Sequence, residues 1–196
     1  MAAISEFYAA DRSIWRKWLE KNHATAGSVW LIIYKKDSGV PSVVYAEAVE
    51  EALCFGWVDS KPNKRDDKSF ALYFAARKPK SPWSKINKER IARLIKEKKM
   101  HPAGMAKIDA AKNDGSWSVL DSVEALIMPD VLKKRFAKNK KALTYFEAFP
   151  PSVKKAIFHW VQSAKTDETR EKRITETVTL AAKNIRANQW KGKKGS

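Results

Sequence analysis

Aromatic, amide, acidic and cationic side chains lie close together between positions 57 and 87, and these residue types at this spacing could do chemistry. A serine at position 84 is typical of a helix N-cap, and the unpaired N–H groups of a first helical turn attract anions. Arginine and lysine beside such a cap strengthen that attraction. The pattern predicts an anion-binding corner made of Trp57, Asp59, Arg77, Lys78, Trp83, Ser84, Lys85 and Asn87.

The same residues also fit a purely structural corner. In that interpretation Trp83 packs into the core, Ser84 caps the helix, and the neighbouring cations point into water. The sequence leaves both interpretations open, because it does not show whether the group converges in space.

A second basic group follows on the helix that Ser84 is expected to begin. At 100° per residue its four lysines fall within about 80° of arc, beside the apolar stripe rather than on it. Lysines on such an edge could contact nucleic-acid phosphates, and each contact would increase the salt dependence of the affinity. An alternative function is therefore a nucleic-acid-associated protein that uses Lys85, Lys88, Lys96 and Lys99.

A further alternative is a small enzyme acting on an anionic substrate, which would need a general acid or base. Asp59 could take that role while the cations of the corner hold the substrate. No residue of the sequence is predicted to be catalytic, however, and a non-enzymatic binding protein is the leading hypothesis.

Metal and nucleotide sites are not predicted. The histidines, His23, His101 and His159, lie in different predicted elements without an i, i+4 partner, and one cysteine cannot complete a four-ligand zinc site. Seven glycines spread singly cannot form a phosphate-binding glycine loop. We therefore expect no metal and no cofactor.

Two further groups of titratable residues are interpreted as structural. Cys54 lies at the inward end of a predicted helix beside Phe55, which favours a buried apolar thiol over a nucleophile. Glu47, Glu50 and Glu51 are expected on the outer, solvated side of the same helix.

The composition limits the class of protein and the kind of partner. The 196 residues include 39 Lys and Arg against 22 Asp and Glu, which gives a formal charge of +17, and eight Trp, which are ample for a packed core. Residues 61–110 hold 15 basic and 5 acidic side chains, and residues 151–196 hold 11 and 4. Such a field attracts an anionic small molecule or a polyanion, nucleic acid included, and excludes cationic partners. The oligomeric state is not specified by these patterns.

The sequence shows neither a signal-peptide pattern nor a transmembrane segment. Its longest uninterrupted strongly apolar stretch covers only residues 29–34, and acidic residues occur near the start. One cysteine in the chain is typical of a reducing compartment. We expect a cytoplasmic location.

Hydrophobic periodicity predicts an α+β fold, with a small N-terminal sheet flanked by helices and an all-helical C-terminal module after it. A helix at 11–22, a buried strand at 28–34, a helix that ends before Gly56 and a strand at 70–75 form the first part. Gly56 is placed to end its helix with a positive φ, and Ser84 and Pro102 are placed to begin the next two.

After Trp117 the pattern is wholly helical. Predicted helices cover 129–137, 141–149 and 152–164, and Asp167 is expected to cap a last helix whose apolar repeat runs from Ile174 to Ile185. We predict that residues 1–118 form the α+β part, residues 119–190 the helical module and residues 191–196 a flexible basic tail.

Short motifs in a fixed order resemble a known family. They are LCFGWVD at 53–59, RKPKS at 77–81, WSKINK at 83–88, PAG at 102–104, DGSW at 114–117, FPPS at 149–152 and TREKRI at 169–174. Together they are similar to the YdeI/OmpD-associated family, which is also described as OmdA or bacteriocin protection. The resemblance covers nearly the whole chain and assigns the helical module to the OmdA type.

This resemblance implies a soluble bacterial protein with a part in stress or antimicrobial-peptide resistance, and it supplies no catalytic residue to carry over. A chain of +17 repels cationic peptides rather than sequestering them. The leading expectation is therefore a non-enzymatic binding protein of this family whose basic corner takes an anion.

Overall fold

A computed structural model describes residues 4–189 of the chain. The chain divides into two compact units between Val119 and Leu120. The described residues form five strands, all in the first unit, and nine α-helices, so the predicted α+β class is confirmed.

The sheet of the first unit is mixed. Its strands are β1 (Glu6–Tyr8), β2 (Ser28–Tyr34), β3 (Trp57–Asp59), β4 (Asn63–Lys64) and β5 (Ser69–Ala76). They are ordered β1-β2-β5-β3, and β4 also pairs with β5. Strands β1 and β2 run parallel, whereas every pairing with β5 is antiparallel.

One face of the sheet supplies the core because large apolar residues alternate along its two long strands. The register places Val29 opposite Phe74 and Leu31 opposite Leu72, and all four side chains are buried. Successive side chains of a strand point to opposite faces, so this pairing collects the bulky residues of both strands on one side.

Four helices belong to the first unit: α1 (Arg12–Asn22), α2 (Tyr45–Cys54), α3 (Lys85–Lys96) and α4 (Pro102–Asn113). Helix α1 begins as its sequence predicts, since Asp11 accepts a hydrogen bond from the backbone N–H of Ile14 at 2.9 Å. Its apolar stripe buries Trp15 and Leu19.

Two glycines fix the path from α2 to α4. Gly56 has φ 73° and ends α2 as predicted. Gly104 lies where α4 crosses the end of α2, and a Cβ atom there would stand 2.2 Å from the carbonyl oxygen of Cys54. The two backbones therefore approach more closely than any side chain would allow.

The second unit is helical throughout the part of it that is described. It contains α5 (Asp121–Glu124), α6 (Asp130–Ala137), α7 (Lys140–Glu147), α8 (Pro151–Gln162) and α9 (Asp167–Ala181). Its core includes Phe136, Phe146 and Phe158, whose rings lie 4.8 to 5.8 Å apart in successive pairs.

Two details of the last helix differ from the prediction. Thr166, not Asp167, is the N-cap of α9, and its hydroxyl accepts the N–H of Thr169 at 3.1 Å. The apolar repeat does not continue to Ile185, because α9 ends at Ala181 and Ile185 is exposed. The apolar spacing of the sequence continues beyond the end of the helix, because the chain turns away from the core before the repeat ends.

The predicted tail at 191–196 lies outside the described residues. Within the residues that are described, none of the helices has the length and apolar character needed to cross a bilayer.

Candidate functional site

Arg77 is the centre of the candidate site. It follows the last residue of β5, and its backbone N–H donates to the carbonyl oxygen of Gly56 at 3.0 Å. That bond extends the pairing of β5 with β3 by one step. The arginine is only 6% exposed.

The surroundings of its guanidinium are unusual for a buried cation. The guanidinium carbon lies 3.6 Å from the centroid of the Trp83 ring, and one terminal nitrogen donates to the carbonyl oxygen of Pro82. Its Nε is buried and has no hydrogen-bond partner among the described residues. Burial alone lowers the pKa of Arg77 to about 10, with no acidic neighbour to offset it.

A buried charge is normally paired, because an ion removed from water loses several kcal/mol of hydration free energy. Cation–π stacking on Trp83 and one carbonyl acceptor compensate Arg77 only in part. Because this pKa stays well above neutral pH, the guanidinium of Arg77 keeps its positive charge there.

Arg77 lines a small cavity of about 60 Å³ within the first unit. One wall is the segment 77–81 with Trp83, and the other comes from α4 and the turn after it. This volume has room for about two to four water molecules. A small anion fits there, whereas a whole nucleotide does not.

The charges that line the cavity are mostly positive. Four cations, Arg77, Lys78, Lys80 and Lys107, stand against one carboxylate, Asp114. Lys80 has φ 59°, and this left-handed residue turns the segment so that its neighbours line the same space.

The turn after α4 contributes the other polar groups. Asp114 accepts the backbone N–H of Ser116 at 2.9 Å, and Gly115 between them has φ 79°. The Ser116 side chain and then its N–H lower the pKa of Asp114, although no group completes a well-aligned hydrogen bond with the Ser116 hydroxyl. Ser116 is 5% exposed, so its hydroxyl is a second buried polar group on the cavity.

The structure brings three of the eight predicted corner residues to the cavity: Arg77, Lys78 and Trp83. Trp57 lies in the core, where its indole N–H donates to the carbonyl oxygen of His23 at 3.1 Å. Asp59 accepts the Tyr45 hydroxyl at 2.8 Å, and burial followed by this bond raises the pKa of Tyr45.

The other three predicted residues belong to the first turn of α3. Ser84 is the N-cap, as expected, and its hydroxyl accepts the N–H of Asn87 at 3.3 Å. Asn87 accepts a hydrogen bond from Arg90 at 3.0 Å, and Lys85 pairs with Glu89 at 3.9 Å. These residues fit the structural interpretation of the helix start, whereas the cavity is lined by the preceding segment.

Several polar residues of the cavity were not predicted from the sequence. Lys80, Lys107, Asp114 and Ser116 line it, but none was a candidate. The motif DGSW at 114–117 offered a signal, since Trp117 packs on Trp83 with ring centroids 5.1 Å apart. Lys107 carries no such signal, because its position depends on how α4 packs.

The predicted basic edge is partly neutralised, and Lys99 does not belong to it, because α3 ends at Lys96. Lys99 pairs with Glu97 at 2.7 Å, Lys85 pairs with Glu89, and the amine of Lys88 lies 5.2 Å from the centroid of the Trp117 ring. Lys96 is exposed. This surface has weaker net attraction for phosphates than four free lysines would have.

The predicted solvated position of two glutamates on α2 is wrong. Glu51 is 1% exposed and forms ion pairs with Arg16, at 2.7 Å, and with Arg12. Glu50 forms ion pairs with Arg12, at 3.1 Å, and with Arg93. The arginines come from α1 and α3, which cover the face of α2 that a single-helix pattern assigned to solvent.

Two other groups contain residue types that could do chemistry, namely a thiol and a pair of imidazoles. Burial, with the nearby Glu51 carboxylate, raises the pKa of the Cys54 thiol to about 11, so it is a poor nucleophile. His23 and His101 lie with ring centroids 4.8 Å apart, although their spacing in the sequence predicted no contact. In the described part of the chain no three His, Cys, Asp or Glu residues converge as a metal site would require.

Two family models match the chain. One, described as a domain of unknown function (DUF8412), matches residues 7–107, and the other, described as bacteriocin-protection, YdeI or OmpD-associated (OmdA), matches residues 125–184. No curated protein and no solved structure matches it. The OmdA resemblance is confirmed at 125–184, whereas the motifs between 53 and 88 lie in the DUF8412 match.

Proposed function

We propose that the N-terminal unit is a non-enzymatic binding protein for a small anion. The chain belongs to the DUF8412 family, whose model matches residues 7–107, and the OmdA match follows at residues 125–184. The buried guanidinium of Arg77 is the group that holds the anion. Lys78, Lys80 and Lys107 supply the surrounding positive potential.

The observation that carries this proposal is the burial of Arg77 without a carboxylate. Its charge is desolvated, its Nε has no partner among the described residues, and it lines a cavity with the Ser116 hydroxyl. An anion in that cavity would accept charge-assisted hydrogen bonds from a cation already desolvated in the folded protein. The free energy of desolvation would then be recovered on binding.

The chemistry of the cavity favours binding over catalysis. Two serines line the cavity among the described residues, the buried Ser116 and the more exposed Ser81. A serine needs a base to activate it, and Asp114, with its lowered pKa, is a weak one.

Calorimetric titration of the full chain with phosphate, sulfate and acetate tests this function. We expect at least one oxyanion to bind, and we expect Arg77→Met to weaken it by more than about thirtyfold, since a charged hydrogen-bond partner is lost. Arg77→Lys keeps the charge but not the planar guanidinium, so its anion affinity should lie between those of the parent chain and Arg77→Met.

Arg65→Met is the matched control, because Arg65 is an exposed arginine of the same unit that pairs with Glu6 at 3.5 Å. It should bind the anion as the parent does. No oxyanion binding to the parent chain, or equal binding by Arg77→Met, would overturn the proposal. Arg77→Met leaves no carboxylate unpaired, so it should fold, which its thermal unfolding would verify.

The same titrations separate the nucleic-acid alternative. Duplex DNA that binds Arg77→Met and the parent equally, with an affinity that falls steeply with salt and weakens in Lys96→Ala, would assign the charge to phosphate contacts along α3. In that case the cavity would be structural.

We further propose that this protein acts in the cytoplasm. It would contribute to bacteriocin resistance by binding its anion, and not by capturing peptides. The support is the description of the OmdA family and the charge of +17, which repels cationic peptides. A strain lacking the gene should be more sensitive to bacteriocins and should be rescued by the parent chain but not by Arg77→Met. Rescue by both would disconnect resistance from the cavity.

A further inference from the structure

We infer that the cavity selects an oxyanion that carries a proton, namely inorganic phosphate, over sulfate, and that Asp114 is the residue that discriminates between them. The inference rests on the proposed function and names the ligand of that site. Its starting point is a carboxylate among the groups that line a cavity for an anion.

Asp114 would be out of place in a site for a fully ionised anion. A carboxylate beside such a ligand repels it, and both groups have only acceptors to offer. Asp114 is an exposed residue at the mouth of the cavity and is ionised at neutral pH like any ordinary aspartate, and hydrogen bonds from the Ser116 side chain and N–H lower its pKa further. The repulsion becomes an attraction only if the ligand brings its own proton to donate.

Phosphate and sulfate differ in that one property. Both are tetrahedral oxyanions of similar size, but phosphate keeps at least one O–H at neutral pH, whereas sulfate keeps none. The O–H of phosphate can donate to Asp114 while its other oxygens accept from the donors around them. Sulfate would meet the same donors together with a carboxylate to which it has no proton to donate.

The remaining groups on the cavity are complementary to those other oxygens. Arg77 has a buried Nε without a partner among the described residues, and the buried Ser116 hydroxyl, which lies beside Asp114, can turn to donate to a ligand oxygen. These residues are 6% and 5% exposed, so each of them offers a desolvated donor rather than a surface contact. One acceptor and several donors on a small cavity match the hydrogen-bonding pattern of hydrogenphosphate.

The source of the phosphate follows from the same proton. The second ionisation of a phosphate monoester has a pKa near about 6, so a monoester has lost its last proton at pH 7.5. Inorganic phosphate retains one there. The site should therefore prefer inorganic phosphate to glycerol phosphate at pH 7.5, and the difference should narrow at pH 5.5.

The test is calorimetry of the full chain with phosphate and sulfate at pH 7.5. We expect phosphate to bind at least about tenfold more tightly, since a hydrogen bond to a charged acceptor is gained and a repulsion avoided. In Asp114→Asn this ratio should fall to near one, because an amide can donate to either anion.

Asp109→Asn is the matched control, since Asp109 is an exposed carboxylate of α4 and this change alters the net charge equally. It should keep the phosphate preference. Equal affinities for both anions in the parent chain would overturn this inference and leave the proposed function intact, whereas the absence of any anion binding would overturn both.

Asp114→Asn should fold, because an amide oxygen can still accept the Ser116 N–H. If the variant unfolds nonetheless, titration of the parent chain with glycerol phosphate at two pH values still tests the role of the ligand proton. Its affinity must rise between pH 7.5 and pH 5.5 while that of sulfate does not. A flat profile for glycerol phosphate would contradict the role of the proton.

Discussion

The guanidinium carbon of Arg77 lies 3.6 Å from the centroid of the Trp83 ring, and Trp83 is itself almost fully buried. The indole thus occupies one face of a cation that forms no ion pair with a carboxylate of the described residues. A planar cation held against an aromatic face has few accessible conformations, so it is preorganised for a ligand.

Replacing Trp83 should therefore affect stability and anion binding together. Trp83→Leu removes a buried ring and should lower the free energy of unfolding by about 3 kcal/mol, as measured by urea denaturation. It should also weaken anion affinity several-fold, because the guanidinium loses the surface that orients it. Trp83→Phe keeps an aromatic face and should recover part of the affinity; equal loss in both variants would argue that the ring only fills space.

The ion pairs of Glu51 give a second prediction. Glu51→Gln leaves Arg12 and Arg16 without their buried carboxylate and should cost about 3 kcal/mol of unfolding free energy. Glu47→Gln, on the same helix, should change it by less than about 0.5 kcal/mol. Similar effects of the two substitutions in a denaturant titration would mean that the buried pairs add nothing to stability.

The close approach at Gly104 gives a third. Gly104→Ala would place a Cβ 2.2 Å from a backbone oxygen of α2, and backbone cannot move aside as a side chain can. We expect a loss above about 3 kcal/mol or failure to fold, seen as a lower melting temperature. Gly39→Ala is the comparison: Gly39 has φ 73° with open space around it, so it should cost only about 1 kcal/mol.

Cys54 predicts a pH dependence at the alkaline end. Its thiol has a pKa of about 11 in the folded chain against a reference of 9.0, so between those values the unfolded chain loses a proton that the folded chain keeps. Stability must then fall as the pH rises from about 9 to 11, by roughly 2 to 3 kcal/mol from this group.

The measurement is the slope of unfolding free energy against pH in the parent chain and in Cys54→Ala. Lysines and tyrosines titrate in both proteins and cancel in the comparison. The variant should lose stability less steeply above pH 9. Parallel curves would show that the thiol titrates equally in the folded and unfolded chains.

Local patterns predicted much of the first unit. Strand β2 and the left-handed turn at Gly56 were predicted correctly, because alternation and glycine conformations act within a few residues. The pattern misplaced Glu50 and Glu51, since a helix considered alone has one buried side, whereas α2 is covered on a second side by arginines of α1 and α3.

The candidate site shows the same division. The sequence singled out Arg77, Lys78 and Trp83, because a basic segment beside tryptophan and proline is unusual in itself. It did not single out Lys107, Asp114 or Ser116, which lie about thirty to forty residues after Arg77 and reach the cavity through the packing of α4. It also favoured the first turn of α3, where local caps and ion pairs already occupy the polar groups.

The sequence by itself determined the α+β class, most helix and strand positions, the strong positive charge and the resemblance to the OmdA family over residues 125–184. These follow from periodicity, composition and motif order, which are properties of the linear chain. Only the tertiary structure decided that Arg77 lies beside a cavity and is buried without forming an ion pair with a carboxylate of the described residues. Burial and the pairing of charges depend on which distant segments meet, and packing alone brings them together.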